Sequence, residues 1–229
     1  MIYVLSEIVE LDKVLKVLEK NDQSLCFGLF GIEFRMRPLN PLQLRNLTAG
    51  MVLLREQGID AERLREAASG IEFSVSGRFE WKPLGDGWLV DDSYNANTAS
   101  MTEALRVLHE LPVTGRKFAV LGDMLELGSS THVEHRKIGH AASEVDTLLT
   151  IGQMAELFAQ GAIQAGMPRQ NVHVLATQTL DADELSEARK QLKQLLDALL
   201  KPGDAVLLKA SNGIGLSHVS DSLAIDTGH

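Results

Sequence analysis

From Gly87 to Ser211 the chain alternates short, continuous apolar runs with longer stretches whose apolar residues recur at helical spacing. The runs GWLVDDS, KFAVLGD, TLLTIG, NVHVLA and AVLLKAS predict strands, KFAVLGD being of the continuous apolar kind expected in a buried parallel sheet. Between them, SMTEALRVLHEL, THVEHRKIGHAASE, QMAELFAQGAIQAG and DADELSEARKQLKQLLDALL predict helices. Ser100 with Glu103, and Thr131 with Glu134, have the spacing of capping boxes at two of the helix starts. This alternation predicts βαβ units with right-handed crossovers, hence an α/β fold with a doubly wound, Rossmann-like, mostly parallel sheet. Such sheets bind ligands at the carboxyl ends of their strands. At that end the chain places Asp92–Asn97, Gly122–Gly128, Gly152-Gln153 and Lys209–Gly213, all rich in polar and glycine residues.

Upstream the pattern is less regular. Val4, Leu5, Ile8, Leu11, Leu15 and Leu18 recur at roughly helical spacing, which predicts an amphipathic helix. Ser24 to Met36 predicts two short strands around a turn at Gly31. Residues 41–57 predict a helix that starts after Asn40-Pro41 and stops before Gly58, and a second helix follows over about 60–69.

Composition narrows the function classes. The chain has 229 residues, 45% of them hydrophobic, and 22 basic against 31 acidic residues leave a net charge of −9. That balance gives no global attraction to nucleic acid or anionic lipid. No apolar stretch has the length of a membrane span, and the acidic residues near the start do not fit a secretory signal, so a soluble cytoplasmic protein is expected. With Cys26 as the single cysteine, no intrachain disulfide and no cysteine-based zinc site can form.

Most familiar site motifs are missing. No G-x-G-x-x-G fingerprint occurs, and Gly122–Gly128 has neither the spacing nor the lysine of a phosphate-binding P-loop. His132, Glu134 and His135 do not make an H-E-x-x-H set, and first-turn capping explains the histidines more simply than a metal does. Ser93 lacks the nucleophile elbow of a serine hydrolase. Arg116-Lys117 reads as a solvated strand start. DDSYNAN is more informative: Asp92 ends a buried strand, where a carboxylate is costly without a purpose. The tyrosine and two asparagines beside it suit a ribose and a heterocycle edge equally as well as a turn that caps the next helix.

Taken in order, V-D-D-S-Y-N-A-N-x-x-S-M (90–101), G-R-K-x-A-V-L-G-D-M-L-E-L-G (115–128), His135 and P-G-D-x-V-L-x-K-x-S (202–211) resemble the Mur ligase family in its MurF branch. V-S-G-R-F-E (75–80) is similar to the family's linker. The resemblance implies residues 1–75 as a remnant of the family's central domain behind an unmatched N-terminal segment, and 76–229 as its carboxyl-terminal domain. It also implies part of an ATP-dependent, ADP-forming ligase that joins D-Ala-D-Ala to UDP-N-acetylmuramoyl-tripeptide in peptidoglycan synthesis. By the same resemblance Arg78 and Asp92 face the nucleotide, with Tyr94, Asn95 and Asn97 beside them, and Asn46 is a surviving nucleotide asparagine. Asp123, Met124 and Glu126 of the Gly122–Gly128 loop, with Lys209 and Ser211, line the dipeptide side.

The departures from the family pattern carry expectations of their own. The P-loop, the magnesium ligands and the modified lysine have no counterpart here, so ATP and magnesium belong to the full family and neither is held by this chain alone. Ligation by the chain alone is not expected, and a second chain supplying the missing domains is one partner to seek. Thr98, Ala210, Asn212 and Leu216-Ser217 stand where the family has other residues. Asn212, the rewritten Asn40–Leu47 region and the unmatched residues 1–22 favour the alternative of a non-catalytic, stand-alone module that binds nucleotide, peptide or a protein partner.

Overall fold

The computed structural model describes residues 15–20, 25–36, 41–71 and 76–225. It divides into two compact units, Met1–Phe73 and Ser74–His229.

In the first unit, strands β1 (Lys16–Lys20), β2 (Leu25–Leu29) and β3 (Ile32–Met36) form an antiparallel sheet. Phe30 and Gly31 both take positive φ, 55° and 79°, the geometry of a two-residue hairpin whose twist matches its strands. The register sets Phe27 opposite Phe34, and their rings stack at 5.2 Å. Helices α1 (Pro41–Glu56) and α2 (Ala61–Ser69) complete this unit's core through Leu44, Met51, Leu64 and Ala68. Asp60 caps α2 by accepting from the Arg63 N–H at 2.9 Å. The helix expected over Val4 to Leu18 is corrected at its end. Residues 16–20 are extended and pair with β2, because cross-strand hydrogen bonds outweigh a weak helical periodicity. Val4, Leu5, Ile8 and Leu11 lie outside the described residues.

The second unit is a six-stranded sheet in the order β4-β5-β9-β6-β7-β8. Its strands are β4 (Glu80–Leu84), β5 (Gly87–Asp92), β6 (Lys117–Gly122), β7 (Thr147–Gly152), β8 (Val172–Ala176) and β9 (Ala205–Lys209). Only β4 runs antiparallel to its neighbour, and it sits at an edge, where Pro83 is tolerated. Helices α3 (Thr98–Glu110), α4 (Thr131–Ala141), α5 (Ala155–Gln164), α6 (Ala182–Leu199) and α7 (Ser217–Ile225) cover both faces. Strand alternation assigns the faces: Val90, Ala119, Leu121, Leu148 and Leu207 pack with α3, α4 and α5. Leu89, Phe118, Val120, Leu149 and Leu208 pack on the opposite side with α6 and α7. The chain travels β6, β7, β8 in one direction, then returns through α6 to insert β9 between β5 and β6. That insertion is the topological switch point, and it fixes where a ligand crevice opens.

Both expected capping boxes are corrected. The first sits three residues earlier: Asn97 is extended (φ −146°, ψ 166°), its side chain accepts from the Ser100 N–H, and the Ser100 hydroxyl accepts from the Asn97 N–H. Glu103 instead pairs with Arg106 at 2.7 Å. The second does not form, since the 3-10 turn Gly128–Ser130 runs straight into α4 and no extended residue precedes it. Thr131 Oγ1 donates to the Gly128 carbonyl at 2.8 Å instead.

Candidate functional site

Four loops leave the carboxyl ends of β5, β9, β6 and β7 around the switch point, and within the second unit they carry nearly all the candidate residues. The parallel register places Asp92 beside Lys209. Lys209, 1% exposed, donates from Nζ to Asp92 Oδ2 at 2.5 Å and to the Asn95 carbonyl at 2.9 Å. Asp92 Oδ1 accepts from the Phe79 N–H at 3.1 Å. Burial pushes the Asp92 carboxyl above its ordinary value, against the pull of the Lys209 ammonium and the Phe79 N–H. Lys209, which the resemblance groups with the Gly122–Gly128 loop, has its ammonium in the Asp92 cluster.

Next to it, the Arg78 guanidinium lies 4.3 Å from the centre of the exposed Tyr94 ring, a cation–π contact. The Tyr94 N–H donates to the Gly77 carbonyl at 2.9 Å and pins the two loops together. Asn95 is exposed and its side chain accepts from the Ala96 N–H, while the Asn97 side chain is committed to capping α3. The capping reading of DDSYNAN thus has its physical counterpart in Asn97. Ser93 is buried, and its hydroxyl has no hydrogen-bond partner among the described residues. Asn46 belongs to the other unit, on the exposed side of α1.

The loop after β6 is held from beneath. Asp123, 1% exposed, accepts from the Gln153 and Met154 N–H groups at 2.9 and 3.0 Å, at the start of α5. Burial raises its carboxyl above the ordinary value, and the two N–H bonds oppose that rise. Ser211 donates its N–H to the Asp123 carbonyl and accepts from the Leu125 N–H at Oγ. Met124 is core. What the loop offers outward is its tip, the exposed Leu125 and Glu126, with Glu126 at φ 65°. A left-handed conformation at a residue other than glycine is strain that the surrounding bonds must maintain.

His135 completes the support, and residue spacing had assigned it only a capping role. It is fully buried, its ring 4.7 Å from Phe158. Nε2 accepts from the Met124 N–H at 3.0 Å, so the proton sits on Nδ1 and is donated to the Thr131 carbonyl at 2.6 Å. Burial lowers its pKa below 6.5, the Thr131 bond partly offsetting this. A base whose folded pKa is depressed takes up its proton in the unfolded chain first, so stability falls as pH drops below 6.5. We expect urea unfolding to show lower stability at pH 5 than at pH 7, and His135→Asn to flatten the part of that slope lying within this window. An unchanged slope would refute the assignment.

Two further polar clusters depart from the sequence reading: the Asp91–Lys82 pair was not foreseen, and Arg116, expected as a solvated strand start, is partly buried in an ion pair. Asp91, on the face opposite Asp92, holds Lys82 Nζ at 3.4 Å, and Lys82 also donates to Ser220 at 2.9 Å. Burial works to lower the Lys82 pKa, but Asp91, Glu80 and Asp221 outweigh it and hold it above its ordinary value. At the other end of the sheet Arg116 pairs with Asp204 at 2.8 Å and lies over Phe118, a structural brace. Among the described residues no three His, Cys, Asp or Glu side chains gather into a metal-holding set, and no helix is long and apolar enough to cross a membrane.

A family profile described as "Mur ligase, glutamate ligase domain" matches residues 77–212. The UDP-N-acetylmuramoyl-tripeptide–D-alanyl-D-alanine ligase of Mycobacterium bovis is 33% identical over 204 residues, covering 85% of this chain and 40% of that protein. The Bacillus subtilis ligase of the same name is 28% identical over 220 residues, covering 93% of this chain and 45% of that protein. This chain therefore spans less than half the length of these relatives. Among solved structures, MurF from Acinetobacter baumannii superposes with a TM-score of 0.71 at 22% identity, over 92% of this chain and 44% of that one. MurF ligase from Thermotoga maritima, solved in complex with ADP, gives 0.66 at 24% identity, over 93% and 46%. At these identities the structures speak for the fold.

Proposed function

This chain belongs to the Mur ligase family, and on that premise we propose that it is the nucleotide-closing and amine-binding part of a MurF-type, ADP-forming ligase of peptidoglycan synthesis. The observation that carries this reading is the pairing of two presentations on one sheet edge. One is the Asp92–Lys209 pair beside Arg78 and Tyr94, and the other is the strained, outward Glu126 tip. The relatives named for D-Ala-D-Ala ligation, and the one solved with ADP, support it.

In this reading the Asp92 carboxylate accepts from the ribose hydroxyls, with Lys209 keeping it charged and oriented. Arg78, stacked on Tyr94, offers donors to phosphate oxygens and a flat cation to the base. Glu126 receives the ammonium end of the incoming dipeptide, on a loop that Asp123, Ser211 and His135 keep rigid. Magnesium would counter the phosphate charge when bound, but the described residues provide no carboxylate set for it. The chain has no P-loop, so it orients nucleotide and amine while a second set of domains supplies phosphoryl transfer.

Calorimetric titration separates the two halves of the edge. We expect ADP binding that is lost in Asp92→Asn and kept in Glu126→Ala, with the reverse for D-Ala-D-Ala. Loss of neither ligand in either variant would overturn the assignment. A second reading, a non-catalytic binding module, is favoured by Asn212 standing where the family pattern has arginine. It predicts ADP binding without any D-Ala-D-Ala binding.

A further inference from the structure

The seam between α6 and α7 forms a groove of about 570 Å³, within the usual size of small-molecule sites. Arg189, Lys190 and Lys193 line it from α6, and His218 and Ser222 line it from α7. No acidic residue is among its lining, although the chain carries a net charge of −9. Helical spacing stacks Arg189 and Lys193 on one face, one turn apart.

The groove is built around Arg189. Its Nη1 donates to the Ile214 carbonyl at 2.9 Å, and the guanidinium makes no ion pair among the described residues. Gly215, at φ 70°, allows this placement, since a Cβ there would come within 2.9 Å of Nη1. The guanidinium is thus anchored by one corner and has donors left over. By contrast Lys193 is committed to Asp197 at 2.8 Å, and the Lys190–Glu187 pair at 3.6 Å is solvent-exposed and weak. An anchored guanidinium without a carboxylate partner, flanked by an imidazole and a lysine, matches an oxyanion with several acceptor oxygens.

We propose that the α6–α7 seam binds the phosphoryl group of a small phosphorylated molecule, with Arg189 as the anchor and Lys190 and His218 as flanking donors. The probe is inorganic pyrophosphate, titrated calorimetrically at about 0.15 M salt, where exposed charges farther apart than about 8 Å are screened. The expected result is saturable binding that weakens about tenfold, or about 1.4 kcal/mol, in Arg189→Gln. Arg106→Gln, on α3 at the opposite face of the sheet, should leave it unchanged. Should Arg189→Gln not fold, the exposed pair Lys190→Gln and His218→Gln provides the same test, with weakening again expected. Absence of saturable binding, retention of full affinity in these variants, or its loss in Arg106→Gln would overturn the proposal. Equal affinity for citrate would overturn the phosphoryl class and leave a general anion groove.

Discussion

Replacing Lys209 by methionine is expected to cost the fold about 3–5 kcal/mol, the usual consequence of leaving a buried charge without its partner. Lys209 is 1% exposed and the Asp92 side chain 15%, so water cannot fully replace the lost ammonium. Asp92 also holds the Phe79 N–H, and Lys209 holds the Asn95 carbonyl, so the substitution releases the loops on both sides of β5. The companion Asp92→Asn removes the orphaned charge while keeping an acceptor for Phe79. The double variant is therefore expected to be more stable than Lys209→Met alone, and urea midpoints at constant slope would measure both. With Asp92→Asn alone as the third variant, a double-variant loss equal to the sum of the two single losses would mean that the pair is not coupled.

The second large effect is steric. Helices α4 and α5 cross through a reciprocal pair of glycines. A methyl on Gly139 would fall on the Phe158 carbonyl, and one on Gly161 would fall on the Arg136 carbonyl. Backbone cannot rotate out of the way as a flexible side chain can, so Gly139→Ala must push the helices apart. Overpacking of this kind typically costs about 1–3 kcal/mol, and the helix-propensity gain of about 1 kcal/mol only partly offsets it. We expect a net loss of about 2 kcal/mol, the upper end of that cost less the gain. The displacement also reaches the Phe158 ring against His135, and through His135 the Met124 N–H. Glu126→Ala, by comparison, leaves that support intact. Thermal unfolding of Gly139→Ala measures the loss, and an unchanged midpoint would show that the helices can slide.

Much of this was legible in the chain itself, for reasons particular residues make clear. The parallel strands are covered on both faces, so FAVL and AVLL had to be continuously apolar, and such runs are readable. The carboxyl-end loops were readable because strand order places them on one side whatever the register. What was not legible depends on register and backbone geometry. Asp92 and Lys209 are separated by 117 positions and meet only because β9 inserts next to β5. Asp91 and Asp92 look equivalent in sequence, yet alternation sends one to Lys82 and the other to Lys209. The capping boxes were misplaced because a box needs an extended residue at its head, and spacing alone does not say which residue that is. His135 was misread for a similar reason: its partner, the Met124 N–H, lies on a preceding loop.

The central claim is that the loops around Asp92 form a nucleotide edge, and amide chemical-shift mapping with ADP tests it most directly. The account predicts saturable shifts concentrated at residues 77–79, 92–97 and 209–211, absent in Asp92→Asn. Shifts confined elsewhere, or none at any ADP concentration, would contradict it.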